Sequence, residues 1–511
     1  MRLDVKKNTM MGAISGVVNK FVVMLLPFIM RTIMIHFMGT QYLGLSSLFT
    51  SILNMLSLAE LGFGGALVYS MYKPIAENDT TVICALMGLY KKIYRYIGSF
   101  ILIVGLIITP FVKFFISGSV PSDINVYTLY IIYLLNTVAS YFLFAYKNSL
   151  LVAFQRNDIS NNVSTILTTM EYGIQIILVL VFRNYYCYAI IFPIFTVFGN
   201  IVRAVIVEKK YPQYICKGEV PKAQRKEIYK KTIALASHKI GNTISTSFDS
   251  MVVSAFLGLR SVGIFGNYNY VVTTIMALVG IIYYSMTAGI GNRMNLNSLN
   301  ENYKEFMALT SFNNVILCWT TGCMLFLYQP FMELWAGSEN LLGMDSAIIF
   351  SIYFYVYQSR KVVLLYKDAS GLWKEDQWKP IVGALLNLVI NITLVQIIGI
   401  NGVIVSSIIS FLLIEIPWES IVLHKFYFKR SVKEYLKKQI KALAICLPCW
   451  AVTGIICDLV RLPSLPSFFI KLVICIVLPI PYLWFIYKKD KDFMQVIEKF
   501  LPMKLKKLLI K

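Results

Sequence analysis

The chain has 511 residues, of which 57% are hydrophobic and only 14% charged, and its mean hydropathy is +0.67. A soluble domain carries about 25% charged residues and a disordered chain needs low hydrophobicity, so both classes are excluded and an integral membrane protein remains. The net charge of +22 then has three readings: an anionic partner, an anionic lipid surface, or membrane topology.

In chain order, fourteen segments satisfy the roughly 20 apolar residues that a helix needs to cross the hydrocarbon core. They are 12–37, 44–71, 93–116, 125–146, 160–182, 186–207, 233–257, 262–289, 306–328, 346–366, 380–398, 401–424, 440–459 and 468–487. Most are continuous apolar runs without period-two alternation, which marks helices rather than barrel strands. The first run is too long for a signal-peptide core and lacks a small-residue cleavage site, so it is expected to stay as the first span. The longer connections, 208–232 and 425–439, are too short to fold as domains. The expected fold class is an all-α integral membrane protein of two six-helix lobes plus two C-terminal helices. The N-lobe covers 1–208, a basic cytoplasmic linker 209–232, the C-lobe 233–425, and helices 13 and 14 with a basic tail 426–511.

Topology accounts for most of the charge. With the N-terminus inside, 39 of the 48 basic residues fall on the cytoplasmic side. Lys113, Arg183, Arg260 and Arg461 fall outside, and Lys20, Arg31, Arg203, Lys239 and Lys471 lie within spans. Such a bias supports a cytoplasmic N-terminus and C-terminus in the cell membrane. The basic runs 222–231, 429–441 and 488–511 are expected to touch anionic membrane lipids. No segment could form the basic groove that nucleic-acid binding requires, so no nucleic acid is expected as a partner.

Motifs of enzyme chemistry are missing. Cys446 and Cys449 form a C-x-x-C in an apolar run with no neighbouring His or acid cluster, and read as packing residues. There is no metal-ligand spacing and no phosphate-binding G-x-x-x-x-G-K-[ST] motif, so no cofactor, metal or ATP-driven step is expected. Asp490-Lys-Asp492 reads as solvated charge in the Lys-rich tail, and Gly62-Phe-Gly64-Gly65 as a helix kink. The largest outer loop, about 329–345, offers an active site no home. The chain is therefore not read as an enzyme.

One internal repeat is visible without gaps at an offset of 219 residues: Phe37-Met-Gly39-Thr-Gln-Tyr-Leu-Gly44-Leu45 against Phe256-Leu-Gly258-Leu-Arg-Ser-Val-Gly263-Ile264. Each copy joins the first and second spans of a six-span block. Parallel repeats of this kind place a substrate site between the halves near midplane. The offset also sets Lys20 on Lys239, each about 10 Å from the cytoplasmic end of its helix. Arg31 follows Lys20 by three turns plus roughly 20°, on the same helix face and about 16 Å higher.

A charge inside the membrane costs about 2.5–3.5 kcal/mol at the helix centre and marks function by default. Glu60 is placed at the depth of Lys20, Glu171 near midplane in the fifth span, and Asp249 near the middle of the seventh, one position off the Arg31 equivalent. A Lys20–Glu60 pair and an Arg31–Asp249 bridge are expectations of this placement. Glu60, Glu171 and Asp249 are the candidates for gating or for coupling to H+ or Na+. Arg203, one turn from the inner end of its span, reads as snorkelling to the headgroups, and Glu415 and Glu419, flanking Pro417, read as structural.

Several segments carry a resemblance: Leu58-Ala-Glu-Leu-Gly-Phe-Gly-Gly-Ala-Leu-Val68, Tyr72-Lys-Pro-Ile-Ala-Glu77, Gln155-Arg-Asn-Asp158, the region of Asp249, and Lys367-Asp-Ala-Ser-Gly-Leu-Trp373. From about residue 8 to about 430 the chain resembles the bacterial polysaccharide flippases. These are the O-antigen and capsule-repeat exporters of the MATE-like multidrug/oligosaccharidyl-lipid/polysaccharide superfamily. The resemblance implies two lobes around a cationic cavity and export of an undecaprenyl-pyrophosphate-linked oligosaccharide for surface polysaccharide (capsule or exopolysaccharide) biosynthesis. It implies that Lys20, Arg31 and Lys239 hold the pyrophosphate and that a polysaccharide polymerase is a candidate partner. Alternatives are a lipid II flippase of the same fold, a MATE-type cation or drug antiporter, and, least favoured, a membrane transferase or polymerase.

Overall fold

The computed structural model describes residues 5–60 and 62–500; within them the side chains of 5–7, 9, 59, 230, 231, 233–239, 242, 284, 285, 288, 499 and 500 lie outside the description. The described chain is all-helical. Eleven helices are long and apolar enough to cross a membrane, from Met10–Phe37 to Ser464–Tyr487, and a bent pair, Val126–Phe142 with Ala145–Ala153, makes a twelfth. Their most apolar stretches are only 11% to 50% buried. Side chains such as Phe21, Phe100, Ile177, Leu385 and Phe485 stand exposed along them, the pattern of helices solvated by lipid rather than by water.

Fourteen crossings do not appear as fourteen continuous helices, and the difference falls at two places. The second expected span, 44–71, is broken: Thr40–Leu56 ends in a 3-10 turn at Ser57–Glu60, and Gly62, in the left-handed conformation at φ 95°, starts Phe63–Glu77. The glycine-rich stretch there does act as a break, because only glycine takes that backbone conformation without a Cβ clash. The seventh and eighth expected spans lie in one hydrogen-bonded stretch, Lys222–Leu296, of 75 residues. At 1.5 Å per residue it would reach ~110 Å if straight, against a hydrocarbon core of about 30 Å. Gly258, at φ 81° and ψ 173°, divides it into two helices.

The chain divides into two compact units, Met1–Asn267 and Tyr268–Lys511. Side-chain caps fix several helix starts. Asp79 accepts from the Val82 amide at 3.0 Å, Asn125 from Tyr127 and Thr128, and Ser298 with Glu301 forms a reciprocal capping box. The core of the first unit is rich in tyrosine: Tyr133 lies 2.9 Å from the Tyr185 hydroxyl and donates to Ser46 at 3.0 Å.

In the second unit, Lys433–Asp458 and Ser464–Val477 pack on Leu299–Ala336. Trp450 Nε1 donates to the Cys318 carbonyl at 2.8 Å, and Cys446 and Cys449 are buried free thiols in the same apolar cluster. Asp490 and Asp492 are half-exposed and also make contacts within the bundle: Ser311 donates to Asp490 at 2.9 Å, and Asp492 pairs with Lys438. These contacts dock the start of Lys491–Phe500 on the bundle because that helix buries Phe493 against Tyr487.

Candidate functional site

Arg31 lies on the helix Val5–Phe37, four residues beyond Pro27, and is half-buried. Its Nη1 donates to the side-chain oxygen of Asn267 at 2.8 Å. Glu171 is half-buried on the helix Asn157–Phe182. Lys20 and Asp249 are half-buried on their helices. Lys239 lies on the helix Lys222–Leu296, and its side chain is outside the described residues. Asn267 was not singled out by sequence, although an amide in an apolar span is the same kind of signal as a charge.

Glu60 goes elsewhere. The 3-10 turn that ends Thr40–Leu56 turns its carboxylate toward two tyrosines: Tyr94 donates to one oxygen and Tyr141 to the other at 2.7 Å. It lines a cavity of about 380 Å³ together with Asn161, Asn200 and Arg203. Arg203 thus has a cavity face in common with a carboxylate.

The repeat acquires a physical meaning. Gly39 and Gly258 both have positive φ, 106° and 81°, and both separate two helices. A Cβ on Gly44 would overlap the carbonyl oxygen of Leu259, and a Cβ on Gly263 would overlap that of Thr40. Residues 40 and 259 are themselves 219 apart. Each copy's second glycine therefore receives the first turn of the other copy, a reciprocal contact in which backbone meets backbone. Gly258 adds a third close approach, since a Cβ there would stand 2.7 Å from the Ser117 carbonyl.

A network of six charges, all buried but the half-buried Glu415, lies in the second unit. Arg360 pairs with Glu415 and donates to Glu419 at 2.8 Å; Lys379 pairs with Glu419 and lies 3.6 Å from Asp376; Lys367 pairs with Asp376. Three cations face three carboxylates, so the cluster is neutral. It ties the junction of Met344–Ser359 and Lys361–Ser370 to the start of Lys379–Ile398 and to the stretch around Pro417. A π-helical turn, Phe411–Glu415, precedes that proline and sets Glu415 and Glu419 toward Arg360. Arg360, grouped by sequence with the cytoplasmic charges, is 7% exposed.

The other motifs have similar local roles. Arg156 holds Asp158 bidentately, 2.8 Å at each bond, around Gln155, whose φ is positive. Among the described residues no group of three or more His, Cys, Asp or Glu could hold a metal ion.

The sequence matches no family model and no curated protein. Solved structures are similar in fold. Lipid II flippase MurJ in an inward closed conformation matches with a TM-score of 0.67 and 16% identity over 94% of this chain and 99% of that one. An inward-facing multidrug resistance MATE family transporter of the MOP superfamily matches with a TM-score of 0.62 and 11% identity, over 79% of this chain and 94% of that one. A Vibrio cholerae MATE transporter matches with a TM-score of 0.52 and 12% identity, over 83% and 98%. The chain is a multi-pass helical membrane protein whose fold is similar to that of these MurJ and MATE structures.

Proposed function

We propose that the chain is a flippase that moves an undecaprenyl-pyrophosphate-linked oligosaccharide from the inner to the outer leaflet of the cytoplasmic membrane for surface polysaccharide biosynthesis. The observation that carries this reading is the sign of charge on the first membrane helix. Arg31 sits within a span, its guanidinium oriented by Asn267, and Lys20 precedes it on the same face. An exporter of organic cations needs acidic groups where its cargo passes, whereas a pyrophosphate gains charge-assisted hydrogen bonds from Lys and Arg. In this reading Lys20, Arg31 and Lys239 hold the pyrophosphate, and the chain crosses the membrane fourteen times with both termini in the cytoplasm. Glu171 and Asp249 are the candidates for coupling to H+ or Na+, Asp249 also as a partner that closes on Arg31.

A second reading, translocation of lipid II, draws on the 94% of this chain that the lipid II flippase structure covers, against 79% for the MATE transporter. The full-length protein in proteoliposomes tests both. Undecaprenyl-pyrophosphate oligosaccharide and lipid II are supplied in turn, and the fraction of each reaching the opposite leaflet is followed. Each charge-assisted hydrogen bond is worth about 1.5–3 kcal/mol, so Lys20→Ala, Arg31→Ala and Lys239→Ala should each slow translocation by tenfold or more at limiting substrate. Unchanged rates in all three variants would remove the pyrophosphate clamp, and movement of lipid II alone would establish the second reading.

A further inference from the structure

The cavity in the first unit is separate in chemistry from the charges on the first helix. Its volume, about 380 Å³, falls in the range of small-ligand sites, about 300–1,000 Å³. Apart from Ala145, every described residue of its lining carries a hydroxyl, an amide or a charge. Much of this lining is already oriented. Tyr94 and Tyr141 fix Glu60, Ser160 donates to Asn148 at 2.9 Å, and the Asn161 amide donates to Ser15 at 3.2 Å. A buried donor of the lining lacks an acceptor: Asn200 is 7% exposed, and its Nδ2 has no hydrogen-bond partner among the described residues. A buried donor without an acceptor costs about 1–3 kcal/mol, a cost that an acceptor entering the cavity removes.

The lining selects by exclusion. A cation meets Arg203, an anion meets Glu60, and an apolar body strands Asn200 and its neighbours. A neutral polyhydroxyl ligand satisfies all of them at once, donating to the Glu60 carboxylate and accepting from Arg203 and Asn200. A second cavity shares Tyr94, Ala145 and Asn148 with the first and adds Tyr69, Tyr72 and Tyr90, whose rings suit the C–H faces of a pyranose. We infer that these two cavities form a glycan subsite that holds sugar residues of the lipid-linked substrate. Glu60, a candidate for ion coupling by sequence, is thereby assigned to the sugar. The inference rests on the transport reading above and adds to it the part of the substrate that the basic residues do not recognise.

The test uses the full-length protein in nanodiscs and three probes: undecaprenyl pyrophosphate, undecaprenyl-pyrophosphate N-acetylglucosamine, and free N-acetylglucosamine. The glycosylated lipid should bind at least tenfold more tightly than the bare one. That ratio should fall to within twofold of one in Asn200→Leu and, independently, in Asn148→Ala, and binding of the bare lipid shows that each variant is folded. Free sugar should compete with the glycosylated lipid alone. If the bare lipid does not bind, the transport reading fails and the subsite with it. If the bare lipid binds and the sugar adds nothing, or the ratio survives both substitutions, only the subsite is overturned. Tight binding of free sugar without any advantage for the glycosylated lipid also overturns the assignment to a lipid-linked glycan.

Discussion

Glu419 is fully buried, and its carboxylate answers both Arg360 and Lys379. Removing one member of such a cluster leaves unpaired charge in a low-dielectric interior, which costs about 3–5 kcal/mol. Glu419→Ala should therefore lower the thermal midpoint of the detergent-solubilised protein by many degrees. Lys73→Ala breaks an exposed pair with Glu77, worth about 0–1 kcal/mol, and should leave the midpoint almost unchanged; equal effects would contradict the role given to the network. Sequence marked Glu415 and Glu419 as charges in a span but not Arg360, Lys367, Asp376 and Lys379. Their partners lie on other helices up to 59 residues away, and no periodicity links them. Asn200 and Asn267 were missed for a related reason: only the fold shows that Asn267 accepts from Arg31 and that the Asn200 Nδ2 has no hydrogen-bond partner among the described residues.

At the scale of elements, the repeat is the feature most legible in sequence and most sharpened by structure. The glycine spacing was visible, and so was the offset of 219 residues. That the two copies receive each other's helix starts was not, because a gapless match says nothing about contact. Substituting Gly44→Val or Gly263→Val places side-chain atoms where the Leu259 or Thr40 carbonyl stands, so the helices must separate. If this contact is a seal, Thr40→Cys, introduced with Cys187 replaced, should react slowly with a membrane-impermeant thiol reagent and at least several-fold faster when Gly263→Val is added. No acceleration would show that the contact is not a seal. Gly39→Ala acts through the backbone instead, since its Cβ meets nothing within 4 Å; the conformation is nearly restricted to glycine and costs about 1–3 kcal/mol for other residues, so the variant should lower stability without opening the contact. The break at Ser57–Gly62 accounts for one difference in the span count. Hydropathy saw one apolar run across 44–71, because a 3-10 turn and a positive φ are backbone events that average hydropathy does not register; the division between 233–257 and 262–289 was legible, and Gly258 is where it falls.

For the whole molecule, composition and the lengths of the apolar runs were enough to read a many-spanning helical membrane protein, and the fold agrees with that class. The drive is a property at this scale. An inside-negative potential favours outward movement of an anion by about 2.3 kcal/mol per charge per 100 mV, unless protein charges that move with the substrate cancel it. Translocation in proteoliposomes should therefore respond either to an imposed potential or, in a way that Glu171→Gln abolishes, to a proton or sodium gradient; a rate indifferent to all three would contradict both forms of drive. The central claim is that a lipid-linked pyrophosphate, rather than an organic cation, is the cargo. It is tested most directly by reconstituting the full-length chain and comparing translocation of undecaprenyl-pyrophosphate oligosaccharide with efflux of a fluorescent organic cation. The account predicts that the lipid moves, that Arg31→Ala slows it at least tenfold, and that the cation is not exported. Cation export with the lipid left in place would contradict it.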